Sequence, residues 1–207
     1  MKNIAACALC ISATATFYAN NVLAQDGGAS TSTRATATAP APAPARAPGA
    51  SAPVPGLQFA GQGEMRFLGF EIYRARLWVG RGFDAERYAA HPLALELTYQ
   101  RGFTAEAIAK RSIEEMRRVG DFSPEQGVQW QKALQAALPD VKPGDRLVGL
   151  HRPGGGTVFK MDGRVVGDVP DPEFSRLFFG IWLSPKTSEP GLRQQLMAAT
   201  PTVGSLP

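Results

Sequence analysis

The sequence predicts an α+β domain in which an antiparallel β-sheet carries a layer of helices on one face. Three observations predict it. Apolar and polar residues alternate with period two at 62–79 and 93–100, two capped helical segments lie between 104 and 139, and short strands joined by tight turns run from 145 to 169. Each of these elements has one apolar face that needs a partner, and the sheet and the helices can supply it to each other.

Residues 62–79 read as strand. Tyr73, Ala75, Leu77 and Val79 fall on one face and Arg74, Arg76 and Trp78 on the other, with Gly69 marking a bend or bulge between two halves. After a loop at 82–91, Leu93, Leu95, Leu97 and Tyr99 alternate with Ala94, Glu96, Thr98 and Gln100, which predicts a strand with one buried and one polar face. Thr104 is placed to cap a helix whose stripe is Ile108, Ser112, Met116 and Val119, opposite the solvated charges Glu106, Lys110, Glu114 and Arg118. Ser123, Pro124 and Gln126 spell a capping box for a second helix through Trp130 and Leu134 to Leu138 and Pro139. Strands at 145–152, 157–161 and 165–169, turning at 153–156 and at Asp162-Gly163, predict an antiparallel meander. Asp171 and Pro172 then open an aromatic helix that ends at Leu183.

The flanks differ in composition. Residues 1–24 have the form of a secretory leader: Lys2, a weakly apolar core at 4–17, and Val22-Leu23-Ala24 as a cleavage site, so the mature chain is expected to start at Gln25 in a secreted, periplasmic protein. The segment is too short and too rich in Thr, Ser and Asn to span a bilayer. Only six residues precede Cys7, leaving no room for the apolar core that a lipidated leader requires. Residues 25–55 are Ala, Pro, Thr, Ser and Gly, the composition of an extended tether. The foldable region is 56–199, with a tail at 200–207.

Both cysteines, Cys7 and Cys10, fall in the leader, which leaves the mature chain without thiol or disulfide chemistry. The two histidines, His91 before Pro92 in a loop and His151 before Arg152 at a strand end, have no clustered carboxylates and read as solvated, so no metal site and no cofactor is expected. Of the net charge of +4, the leader and tether hold +2, from Lys2, Arg34 and Arg46 against Asp26. The remainder is small and interleaved in sign, which excludes a nucleic-acid stripe.

One stretch is more specific. Phe178, Phe179, Gly180 and Ile181-Trp182-Leu183 lead to Ser184-Pro185, and then Ser188 as a cap, Pro190 and Leu192-Arg193 restart a helix. This corner resembles the C-terminal signature of the chalcone isomerase-like superfamily, and the likeness extends over 57–197 through residues 70–77, 97–101, Pro139-Asp140-Val141, Gly144-Asp145 and Gly163 to Gly167, as in bacterial secreted members. The resemblance implies an open-faced sandwich with an apolar cleft between sheet and helices. In the plant isomerases an arginine of the first strand steers a phenolate while a tyrosine and a threonine position a water.

By that resemblance Arg66 is the matching cation, suited to a carboxylate or phenolate in a dry pocket, unless it is a surface strand residue. Tyr73 shares a face with Ala75 and Leu77, and Tyr99 closes the apolar face of its strand, so either hydroxyl is placed to meet a ligand's polar end, unless each is a buried tyrosine bonded to a backbone carbonyl. As an isomerase the protein would use Arg66, Tyr73 and Tyr99. The pattern departs from the plant enzymes at Arg74, where they have threonine, near Thr104, where they have tyrosine, and in lacking the lysine and asparagine of the matching turns. It fits the fatty-acid-binding relatives better. On that reading Arg66 and Tyr73 hold the carboxylate of a small amphipathic ligand that Tyr99, Phe178 and Trp182 also line, and nothing is turned over. A third reading has the cleft filled by its own aromatic side chains.

Overall fold

The computed structural model describes residues 53–200. The leader, most of the tether and the tail after Thr200 lie outside the described residues. Six strands pair in simple sequence order, all antiparallel: β1 (Gln58–Phe67), β2 (Phe70–Val79), β3 (Leu93–Tyr99), β4 (Arg146–Arg152), β5 (Gly156–Met161) and β6 (Arg164–Val169). Four helices join them, α1 (Ala105–Val119), α2 (Pro124–Ala137), α3 (Pro172–Leu183) and α4 (Pro190–Leu196). The predicted loop at 82–91 contains a short 3-10 turn, Ala85–Ala90, capped by Asp84.

Gly69 is a turn residue rather than a bend within a strand. Leu68 and Gly69 both have positive φ, 49° and 81°, the requirement of the tight two-residue turns that fit the twist of a hairpin. The bulge lies instead between Met65 and Arg66.

The main core forms where the inner sheet face meets the helices. Ala75, Leu77, Leu95, Leu97, Leu147 and Phe159 meet Met116, Leu134, Phe174, Leu177, Phe179 and Leu183, all buried. Gly149 is where a ring needs room: Phe179 lies 3.2 Å from the position a side chain there would occupy. A buried relay also fastens α3 to the sheet. Thr157 donates to Ser175 at 2.7 Å, Ser175 meets His151 Nδ1 at 2.6 Å, and His151 Nε2 meets the Ala89 carbonyl at 2.9 Å. A carbonyl can only accept, so Nε2 carries the proton and Nδ1 accepts from Ser175. His151 is therefore a buried structural residue, not the solvated one its place at a strand end suggested.

The second face of β3 also departs from expectation. Ala94 and Glu96 are buried, Ala94 in a smaller apolar cluster with Trp78, Val148 and Leu150 against which Val54 and Leu57 pack. Glu96 sits between Arg76 at 3.7 Å and Arg146 at 3.8 Å.

Helix starts follow the sequence closely. The Ser123–Gln126 capping box makes both its hydrogen bonds, Thr104 accepts from the Ala107 amide, and Asp171 accepts from the amides of Glu173 and Phe174. On α1 the buried stripe is rotated from the predicted one: Ala109, Ile113 and Glu115 join Ser112, Met116 and Val119, while Ile108 is half-buried. Ser188 does not cap α4. Glu189 takes the cap position without a side-chain bond, and the Ser188 hydroxyl donates to Glu115 at 2.8 Å.

Candidate functional site

Register brings the two predicted tyrosines together. Tyr73 of β2 pairs with Tyr99 of β3, and period-two alternation turns both toward the helices. Their rings meet edge to face with centroids 6.1 Å apart, and Phe103 extends the cluster 6.0 Å beyond Tyr99. From α3, Trp182 donates its indole N–H to the Tyr73 hydroxyl at 3.1 Å, and Phe178, one turn earlier on the helix, packs 5.5 Å from Trp182. Four of the five predicted site residues thus form one aromatic chain between sheet and helices.

Arg66 is not in that chain. Met65 takes the inward place opposite Tyr73, so alternation and the bulge that follows send Arg66 to the outer face. Its side chain is 60% exposed and bonds Glu64 at 2.9 Å, beside the Arg74 pairs with Glu64 and Glu71. The expectation of an inward-pointing guanidinium on the first strand is corrected: that cation faces solvent.

The charges near Tyr73 come from elsewhere. Glu115 of α1 is buried; Arg111 pairs with one of its oxygens, while Ser188 and, at 3.4 Å, Arg118 meet the other. Glu189 follows in the next turn, and its carboxyl is pushed up by burial and then by the Glu115 carboxylate, partly offset by Arg111. Arg111 and Glu115 stand four residues apart and were readable as a helix pair. That Glu115 is buried, with Ser188 bonded to it, depends on the helical layer and the segment before α4, which no local pattern encodes.

The tyrosines are donors with little to do in the protein itself. Tyr88 gives its proton to the Arg176 carbonyl at 2.9 Å, the ordinary arrangement for a buried tyrosine. Tyr73 accepts from Trp182 but donates to no acceptor among the described residues, and the Tyr99 hydroxyl makes no bond there. Both phenols are held well above their ordinary range, Tyr73 chiefly by burial, against which the Trp182 bond works, and Tyr99 by burial and by Tyr73. They keep their protons at any physiological pH. Such groups bind an oxygen acceptor well and make poor bases.

Phe178 has a packing role as well, with Phe159, Phe174, Phe179 and Trp182 all 5.4–5.5 Å away. An open depression of about 510 Å³ runs along α4, lined by Pro190, Arg193, Gln194 and Met197 among others. None of the predicted site residues lines it, and it holds no arrangement of donors comparable to the tyrosine pair. Among the described residues no group of His, Cys, Asp and Glu is arranged to hold a metal ion.

This architecture is shared with known proteins. A Haemophilus influenzae protein described as uncharacterized is 28% identical over 153 residues, 73% of each chain. The crystal structure of an Arabidopsis thaliana fatty-acid binding protein superposes with a TM-score of 0.56 at 11% identity, covering 70% of this chain and 88% of that one, a likeness of fold. The family model described as chalcone isomerase-like matches residues 53–198, from the first described residue to the turn after α4. With the meander, the helical layer and the Phe178–Arg193 corner in agreement, this chain belongs to the chalcone isomerase-like family.

Proposed function

We propose that the protein binds a small amphipathic molecule bearing a carboxylate or another oxygen acceptor, a fatty acid being the leading class, and does not turn it over. The observation that carries this reading is the paired tyrosines of β2 and β3, whose hydroxyls donate to no acceptor among the described residues, between aromatic walls. The fold shared with a fatty-acid binding protein supports the ligand class. Arg111 of α1 brings positive charge within electrostatic range of Tyr73 but is matched to Glu115, so the hydroxyls dominate recognition. Isomerisation of the plant type would need a cation in the cleft to polarise the substrate, and Arg66 faces solvent. The leader-like residues 1–24 support secretion to the periplasm; N-terminal sequencing of protein recovered from that compartment is expected to begin at Gln25.

Titration of the detergent-free protein with decanoate and palmitate tests the binding. Heat and a bound mass in native mass spectrometry are expected, and Tyr99→Phe should lose about 1–2 kcal/mol of affinity. Because the Tyr99 hydroxyl has no partner among the described residues, its removal should leave stability within about 0.5 kcal/mol. No heat and no bound mass from a folded protein would instead support a structural module with a filled cleft, the reading that the close packing around Phe178 favours.

A further inference from the structure

The β1–β2 turn carries an apolar tip that the fold does not require. Leu68 is 80% exposed, the most open large apolar side chain among the described residues, and Phe70 is 56% exposed, a level that Val165 on a strand and Val128 on a helix share. Leu68 also occupies the left-handed region, at φ 49°, where residues other than Gly, Asn and Asp are uncommon. The sheet contains its own control. The β5–β6 turn has the same geometry, φ 49° and 83°, and uses Asp162-Gly163. A leucine in the equivalent place strains the backbone and exposes an aliphatic side chain, so it answers to something other than the turn.

The surroundings identify the occupant. Arg101 stacks its guanidinium over the Phe70 ring at 4.5 Å and has no carboxylate partner among the described residues. Behind the tip the strands carry Glu64 paired with Arg66 and Glu71 paired with Arg74, so the apolar area stops at the turn. A protein partner would need a wider patch with an apolar centre. Two protruding apolar side chains backed by a ring-stacked arginine suit the head-group boundary of a bilayer, where Leu and Phe enter the acyl edge and a guanidinium stays with the phosphates.

We propose that the Leu68-Gly69-Phe70 tip is a lipid-surface contact by which the domain docks reversibly on a membrane. Among the described residues no helix is long and apolar enough to cross one, so the contact is peripheral. The tip lies at the sheet end that holds Tyr73 and Tyr99, since Phe70 is three residues from the first and Arg101 two from the second. The docking does not depend on what the cleft binds.

Flotation of the full chain with phosphatidylcholine vesicles, with and without phosphatidylglycerol, tests it. Binding to both is expected, stronger with the anionic lipid, and Leu68→Asn should weaken partition on the order of tenfold, with Phe70→Ser similar. Leu68→Asn should also raise the thermal midpoint, because asparagine tolerates the left-handed backbone; a folding defect would lower it instead. Equal vesicle binding by Leu68→Asn and the unchanged chain would overturn the proposal by locating any contact elsewhere. So would Leu68-dependent self-association without vesicle binding, which would make the tip a protein contact.

Discussion

Thr157, Ser175 and His151 form a buried series of hydrogen bonds whose last member has both ring nitrogens engaged. Burial holds the imidazole below its ordinary value of 6.5, while the Ala89 carbonyl works the other way. As pH falls through that value the unfolded chain takes up a proton that the folded protein refuses. The unfolded state then binds more protons, so stability is complete above about pH 6.5 and declines below it until the lowered folded value is reached. Urea unfolding at a series of pH values should show that slope, and His151→Gln should flatten it. The sequence placed His151 at a strand end, which is correct, but its burial comes from α3 and the 3-10 turn closing over β4. Arg66 failed differently. Strand alternation was legible, yet the register break after Met65 was assigned to Gly69, and one residue of register exchanges the faces of a strand.

Helix caps were legible because they are local. Ser123 with Gln126, and Asp171 with Pro172, bind amides within three residues, and spacing alone encodes that. Ser188 fits the same pattern but spends its hydroxyl on Glu115, a partner 73 residues away. Asp171 serves two elements: besides capping α3 it accepts the Trp130 indole N–H of α2 at 2.7 Å. Asp171→Ala should therefore cost about 2–4 kcal/mol in urea unfolding, combining a lost cap with an orphaned buried donor. Ser123→Ala, at an exposed cap, should cost about 1 kcal/mol. On α4 the contact with β1 is closed at Gly61, where a methyl group would overlap the backbone carbonyls of Gln195 and Leu196. Gly61→Ala is expected to loosen α4 from the sheet edge, seen as faster amide exchange across 190–196.

For the molecule as a whole, every strand neighbours the next in sequence, which is why the order of elements could be read from turn residues and periodicity, except that one strand read across 62–79 is two, turning at Leu68-Gly69. What sequence order does not contain is which residues meet across layers, such as Trp182 with Tyr73 or Arg101 with Phe70. The long step from β3 to β4 contains α1 and α2 and is closed at its base. Phe103 and Val141 exchange backbone hydrogen bonds of 3.0 and 2.9 Å, and Asp140 accepts from the Ala105 amide at 2.7 Å. The two ends of the described region also meet, through the Ala199 amide and the Ala60 carbonyl at 2.7 Å. A permuted chain opened at 120–122 and joined by a short linker between those ends should recover the same amide spectrum for the sheet, with a lower unfolding midpoint.

The paired bonds between Phe103 and Val141 have one more consequence. They fix the base of the two-helix excursion: a replacement that keeps this bridge and the core residues Met116 and Leu134 should leave the register of β3 on β4 untouched.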